Sequence, residues 1–344
     1  MAVSALVSRI FRNLFGTQEI RDIFTDEAYV GSLIKVEAAL ARAEATVGVI
    51  PVDAGKAITD AFAGLQIDIL RHLERIEEIE QRCLLVQFGG AAGTIASLGG
   101  DDTGLRVRAQ LAAELGLKNP DITWHVARDN VAEILNFLAL VGGTLGKIAL
   151  DLMIMSSNEF DEVSEPFVPH RGASSTMPQK RNPISSEVIL AASKMLRANA
   201  SLGLDAMVTD FERASGPWHL EWVAIPDAFV AAVGALHQTN FALGGLVVKV
   251  GSMKRNLYST KGLIVGEAVM MGLAPHLGRQ GAHDLVYEAC KSAIEKNLTL
   301  LEVLVEIPAL DGIATPEQLA AFCDPLQYMG ASQLMVDEMV KRAV

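Results

Sequence analysis

From Val131 onward the apolar residues Val131, Ile134, Leu138, Val141, Leu145, Ile148, Leu152 and Met155 recur at alternating spacings of three and four. Sustained over more than three heptads, this period predicts one long bundle helix. A second run begins near Trp222 and carries Ile225, Phe229, Ala232, Leu236, Leu243, Leu246 and Val250 in the same register, with Thr239 its only polar member. Both exceed the mean globular helix length of about 11–12 residues at least twofold. Apolar residues reach nearly every face, so each helix needs neighbours on most sides and association between copies through the bundle is expected. The fold class is therefore all-α, built on a long-helix bundle.

Composition agrees. Half of the residues are hydrophobic and only 6% aromatic, a balance that suits packed helices better than strands. A chain of 344 residues exceeds the usual size of one core, which predicts two or three domains. VEAALARAEATVG, within Phe24 to Gly48, is a strong helix former closed by Gly48 and Pro51. Asn182-Pro183 reads as a helix start with Asn at N-cap and Pro at N1, and ISSEVILAASKMLRANASLG then runs helical until Gly203. Beyond Gly251 come shorter helices: GLIVGEAVMMGLAP, AHDLVYEACKSAIEKN and ASQLMVDEMVKRA. Three parts follow: an N-terminal helical domain over 1–70, the long-helix bundle over 71–252 and a helical C-terminal domain over 253–344.

A formal net charge of −12 argues against nucleic acid as a partner, since phosphate-backbone binding needs a basic face. The run MAVSALVSRIFRNLFG is broken by Arg9 and Arg12 and lacks the apolar core of a signal peptide. No later stretch is expected to reach the roughly 20 uncharged apolar residues of a membrane span. No membrane association and a cytoplasmic location are the expectations. Cys83, Cys290 and Cys323 are scattered; they suit buried apolar thiols rather than a disulfide framework or metal site.

Against this background GASSTMPQKRNP, residues 172–183, is unusual. Gly172 gives backbone freedom, Ser174, Ser175 and Thr176 supply hydroxyls and amide donors, and Lys180 adds a cation beside a helix start. Such a set can hold a small anion. A substrate gaining or losing a proton beside its carboxyl group would develop charge on the carboxyl oxygens, and Lys180, Asn182 and the loop amides could stabilise it. A solvated surface loop with an N-cap is the alternative on these residues alone.

SSTMPQKRNP resembles the signature loop of the fumarase/aspartase superfamily, which includes adenylosuccinate and argininosuccinate lyases and bacterial 3-carboxy-cis,cis-muconate cycloisomerases. Further stretches are similar to the cycloisomerase branch: FTDEAYVGSLIKVEAALARAEATVGVIP at 24–51, LVQFGGAAGTIASLG at 85–99, WHVARDNVAEI at 124–134, ERASGPWHLEW at 212–222 and DPLQYMG at 324–330. The resemblance implies an enzyme of aromatic catabolism, in the β-ketoadipate route, acting on a small polycarboxylate without metal or organic cofactor. It implies a homotetramer with active sites shared between subunits. By the same resemblance Ser174 is the proton-transfer candidate, Lys180 and Asn182 bind the substrate carboxylate, and Glu187 sits at the position of a glutamate that holds a catalytic histidine. Ser175, Thr176, Met177, Arg128, Trp218 and His219 are the expected substrate contacts. A serine is a poor base unless nearby cations and amide donors help it, and Lys180 is the obvious helper.

One departure stands out. Family members carry a block with a Thr-Ser-x-Asp motif and a histidine after a threonine-rich turn, whereas GLQIDILRHLERIEEIEQRCLLVQFGG here passes directly from one region to the next. Glu187 thus lacks its histidine partner, which makes a non-catalytic helical scaffold one alternative; a fumarate-releasing lyase of the same superfamily is the other. Among the remaining histidines, His125 and His219 follow tryptophans in matched stretches, and His170 lies next to the loop without a family role. His219 and Glu221 are two apart and cannot share a helix face, so no zinc site is expected. Glu212 and Arg213 read either as a solvated pair or, by the resemblance, as neighbours of the substrate.

Overall fold

In the computed structural model the described residues are 70–168, 176–177, 179–213 and 216–342. The expected N-terminal domain lies outside them, apart from Leu70. Along the chain run α1 (Arg71–Cys83), α2 (Thr103–Leu115), α3 (Asp129–Met155), the short strand β1 (Val163–Ser164), α4 (Ile184–Ala206) and α5 (Glu221–Leu243). There follow β2 (Val247–Val248), α6 (Val250–Leu257), α7 (Gly266–Lys296), α8 (Leu300–Leu304), α9 (Pro316–Phe322) and α10 (Ser332–Arg342). The fold is all-α, as the periodicity predicts.

Helices α3, α4 and α5 share one core in which Leu135, Leu145, Ile189 and Leu196 meet an alanine stripe on α5, Ala224, Ala228, Ala231, Ala232 and Ala235. Glycines set how closely α3 and α4 approach. A Cβ on Gly142 would lie 2.5 Å from Leu196 Cδ1, and one on Gly203 2.5 Å from Leu135 Cδ1. Residue 142 thus meets 196 while 135 meets 203, so the two helices run antiparallel. Gly203 therefore does not end α4, which continues to Ala206; it is an interior notch for a neighbour's leucine. Gly203→Ala should cost about 1–3 kcal/mol by overpacking against the fully buried Leu135. Urea denaturation would show this as a lowered midpoint, and an unchanged midpoint would remove Gly203 from the packing argument.

The second long helix stops at Leu243 rather than running on to Val250. At Gly244-Gly245 the chain turns, with a Cβ on Gly245 falling 2.9 Å from Pro166, and then enters β2. Leu246 and Val248 join Ile148, Leu152 and Val163 in a separate cluster. Antiparallel pairing of Val163 with Val248 and Ser164 with Val247 closes that end of the bundle. Beyond it a second core gathers Val269, Leu273, Val286, Leu300, Leu304 and Leu319. There α7 is bent at Gly278 (φ 73°, ψ 159°), the join between two stretches the sequence separates.

Asp129–Met155 and Pro217–Leu243 are long and apolar enough by composition to cross a membrane, against the expectation that no stretch would be. After Glu133 the only charges of α3 are Lys147 and Asp151, and these pair with each other. Both helices lie against α4 in the shared core.

Candidate active site

A cavity of about 290 Å³ opens where α3 and α5 begin and α4 has ended, lined by Gln87, Phe88, Gly89, Gly90, His125, Arg213 and Trp218. Its wall is the QFGGAAG turn folded over the Thr123-Trp124-His125 step. Trp124 Nε1 donates to the Val86 carbonyl at 2.9 Å, Thr123 Oγ1 to the Gly93 carbonyl at 2.9 Å, and His125 Nε2 to the Gly90 carbonyl at 2.8 Å. Glycine at position 89 is obligatory, because a Cβ would sit 2.8 Å from both His125 Cε1 and Thr123 Cγ2. With Nε2 engaged in this way, the other ring nitrogen of His125, Nδ1, is buried and meets no protein partner among the described residues. Among the described residues Arg213 is the one cationic side chain of the lining, and it gives the cavity a preference for anions.

Behind this wall Arg128, expected as a substrate contact, is engaged by a carboxylate of the protein itself. Its Nε donates to Glu221 Oε1 at 2.7 Å and its Nη2 to Glu221 Oε2 at 2.5 Å, with both side chains buried. The guanidinium also lies 5.2 Å from the centroid of the Trp124 ring. This bidentate pair ties the residue before α3 to the first residue of α5. It fixes the Trp124-His125 and Trp218-His219 steps relative to each other. Trp218 reaches the cavity, while the exposed His219 ring turns to Trp222 at 4.5 Å between centroids.

The described residues of the signature loop, 176–177 and 179–183, lie at the other end of the bundle. Lys180 and Arg181 are exposed and Asn182 is half-buried where the chain enters α4, with Glu187 exposed on its first turn. Thr176 and Met177 are exposed; Ser174, Ser175 and His170 lie outside the described residues. The cap of α4 is not Asn182. Pro183 occupies the N-cap position and supplies no side-chain bond. Both oxygens of Glu165 fill that place: Oε2 accepts from the Ser185 amide at 3.0 Å, and Oε1 from the Ser186 amide and hydroxyl at 2.8 Å each. Sequence reasoning misses this because the acceptor lies twenty residues before its donors, while a prolyl N-cap, which has no side-chain acceptor, is the signal that another group must serve.

The expected site residues therefore fall into two groups. Arg128, Trp218 and His219 gather near the C-terminal end of α4, where Thr209 Oγ1 donates to the Val126 carbonyl at 3.3 Å. Lys180, Asn182 and Glu187 gather at its N-terminal end. A helix of 23 residues separates them by about 34 Å, too far for one small substrate to touch both in one copy. Arg213, Gln87 and His125 join the first group as cavity residues; all three lie in the matched stretches, though only His125 and Arg213 were singled out there.

An all-α bundle with cationic side chains at both ends is the architecture of a helical lyase-type enzyme. Residues 58–196 match the Lyase family and residues 262–339 the Adenylosuccinate lyase C-terminus family. An uncharacterised protein of Schizosaccharomyces pombe is 36% identical over 450 residues, covering all of this chain and 99% of its own length. That relative thus holds an internal block with no counterpart in these 344 residues. Trans-aconitate decarboxylase 1 of Mycosarcoma maydis is 44% identical over 79% of this chain and 55% of its own. The 3-carboxy-cis,cis-muconate cycloisomerase of Pseudomonas aeruginosa is 41% identical over 80% and 60% respectively. In these last two relatives the match spans little more than half of their length. The structure of a 3-carboxy-cis,cis-muconate lactonizing enzyme from Pseudomonas putida aligns with a TM-score of 0.76 at 28% identity, covering 98% of this chain and 99% of that one. The chain belongs to the fumarase/aspartase superfamily.

Proposed function

We propose that the protein catalyses intramolecular addition of a carboxylate of 3-carboxy-cis,cis-muconate across a double bond, giving a carboxymuconolactone. The observation that carries this reading is the likeness to muconate cycloisomerases in both sequence and structure, joined to a loop that holds Lys180 and Asn182 beside the proton-transfer candidate Ser174. In the forward step a carboxylate oxygen forms a bond to an alkene carbon. The π electrons move to the neighbouring carbon and onto its carboxyl group, giving an aci-carboxylate that Lys180 and Asn182 stabilise. A proton delivered to that carbon by Ser174, which regains one from solvent, completes the addition: one carboxylate charge is lost to the lactone ester, one proton is taken up and no oxidation state changes overall. Arg213 in the cavity would meet a further carboxylate of the same substrate.

The reading includes a homotetramer in which the loop end of one copy faces the cavity end of another. The 34 Å separation supports it, as do apolar side chains turned outward on all three bundle helices: Leu140, Leu150 and Ile154 on α3, Met195 and Leu204 on α4, Phe229 and Val233 on α5. A second reading, another reaction on a small polycarboxylate, is favoured by the likeness to a trans-aconitate decarboxylase; fumarate release from a succinyl adduct belongs with it. Following the loss of carboxymuconate absorbance, beside trans-aconitate, adenylosuccinate and argininosuccinate, separates the two. Turnover of carboxymuconate is the expected result. Turnover of one of the others with carboxymuconate untouched would replace the first reading by the second, and turnover of none would favour a helical scaffold.

A further inference from the structure

We propose that Glu165 is a positioning residue for the reaction. By closing the N-terminus of α4 from inside the protein, it sets Lys180 and Asn182 in the arrangement that turnover needs. The first four amides of a helix have no partner within it, and this end carries the positive end of the helix dipole. A loop thought to hold an anionic substrate and leading into such a terminus would ordinarily offer those amides to the substrate. Here two of them are taken. Glu165 receives Ser185 and Ser186 amides and the Ser186 hydroxyl on its two oxygens, within 3.0 Å, and both serines are fully buried. A substrate carboxylate must therefore be met by Lys180, Asn182 and the loop itself.

Glu165 is also held from behind. Ser164, its neighbour, is paired with Val247 in β1–β2, and Lys249 binds the same approach through its amide to the Glu162 carbonyl at 2.8 Å and its ammonium to Asp161. Two residues past Glu165, the Phe167 ring lies 4.1 Å beneath the Arg181 guanidinium. One short, anchored segment thus grips the chain leaving the loop at residues 181, 185 and 186. The axial position of Asn182 and Lys180 is set by these grips, and the loop's own length would not set it.

The role in turnover rests on the reading that this loop does the chemistry, so the test has two arms. In the full-length protein, Glu165→Gln places an amide NH₂ against backbone donors. Hydrogen exchange of the Ser185 and Ser186 amides and of residues 176–183 should accelerate about tenfold, the equivalent of a lost helix cap, with α3 and α7 unchanged. On carboxymuconate, kcat should fall about 10²-fold with KM within threefold, as misplacement of catalytic groups gives. Glu165→Asp should recover part of both losses, and Ser186→Ala, which removes a single hydroxyl bond, should show a smaller acceleration even where Glu165→Gln fails to fold. Loop exchange within twofold of wild type in Glu165→Gln, or in Ser186→Ala and Glu165→Asp together, would overturn the proposal. So would accelerated exchange with undiminished kcat. If the wild-type protein leaves carboxymuconate untouched, the functional reading fails while the exchange arm still decides whether Glu165 positions the loop.

Discussion

Replacing Ser174 by alanine is expected to lower kcat by about 10²–10⁴-fold, the range for a positioned acid or base, with a smaller change in KM and no loss of folded protein. Loss of a single serine hydroxyl usually changes stability by less than about 0.5 kcal/mol, so circular dichroism and melting should match the wild type. Lys180→Ala differs in kind. The carboxylate it faces is charged in both ground and transition states, so KM rises as well as kcat falling. Because Lys180 and Arg213 belong to opposite ends of α4, mixing Lys180→Ala and Arg213→Ala proteins under conditions that exchange subunits should restore part of the activity that neither retains alone. A Ser174→Ala protein with full kcat would take the serine out of the proton transfer and direct attention to His125. Mixtures that stay inactive would count against sites shared between copies.

Arg128→Ala is expected to be the most damaging single change in the fold. It strands Glu221, 3% exposed, as a buried charge with its two hydrogen bonds gone, at a cost of about 3–5 kcal/mol. Arg128→Lys should recover little, because an ammonium cannot match both carboxylate oxygens at once. The double replacement Arg128→Met with Glu221→Leu should regain most of the stability, since an apolar pair of similar volume often equals a buried ion pair. Thermal unfolding of the three variants checks the order. If Arg128→Ala melts with the wild type, the pair is not what joins α3 to α5.

The long helices were legible because burial on several sides imposes a period that local sequence cannot hide, as from Val131 to Met155. Their ends were less so. Leu246 and Val250 keep the register of α5, yet the turn at Gly244-Gly245 sends Leu246 and Val248 into another cluster, and periodicity cannot distinguish one apolar partner from another. Membership of the family was legible in SSTMPQKRNP, whereas the group that caps α4 was not: Glu165 reaches its donors only through the tertiary fold. Arg128 shows the converse case. An arginine in a matched stretch reads as a ligand for substrate until a carboxylate 93 residues away is found against it. Gly89 stands between these cases, noticeable as a motif but explained only by the His125 ring beside it.

The glycine contacts along α3 and α4 are reciprocal. Gly142 of α3 receives Leu196, Gly203 of α4 receives Leu135, and Gly146 lies against Ser193. A slide of one turn, about 5.4 Å, would drive each leucine out of its recess and against a side chain. The pair of helices therefore works as a ruler with fixed graduations: it holds the distance from the Lys180 end to the Trp218 end at one value. Any second copy that supplies a missing half-site must be cut to the same length, so residues inserted into or deleted from α3 would have to be matched in α4, and matched again in every copy, for the two ends to meet.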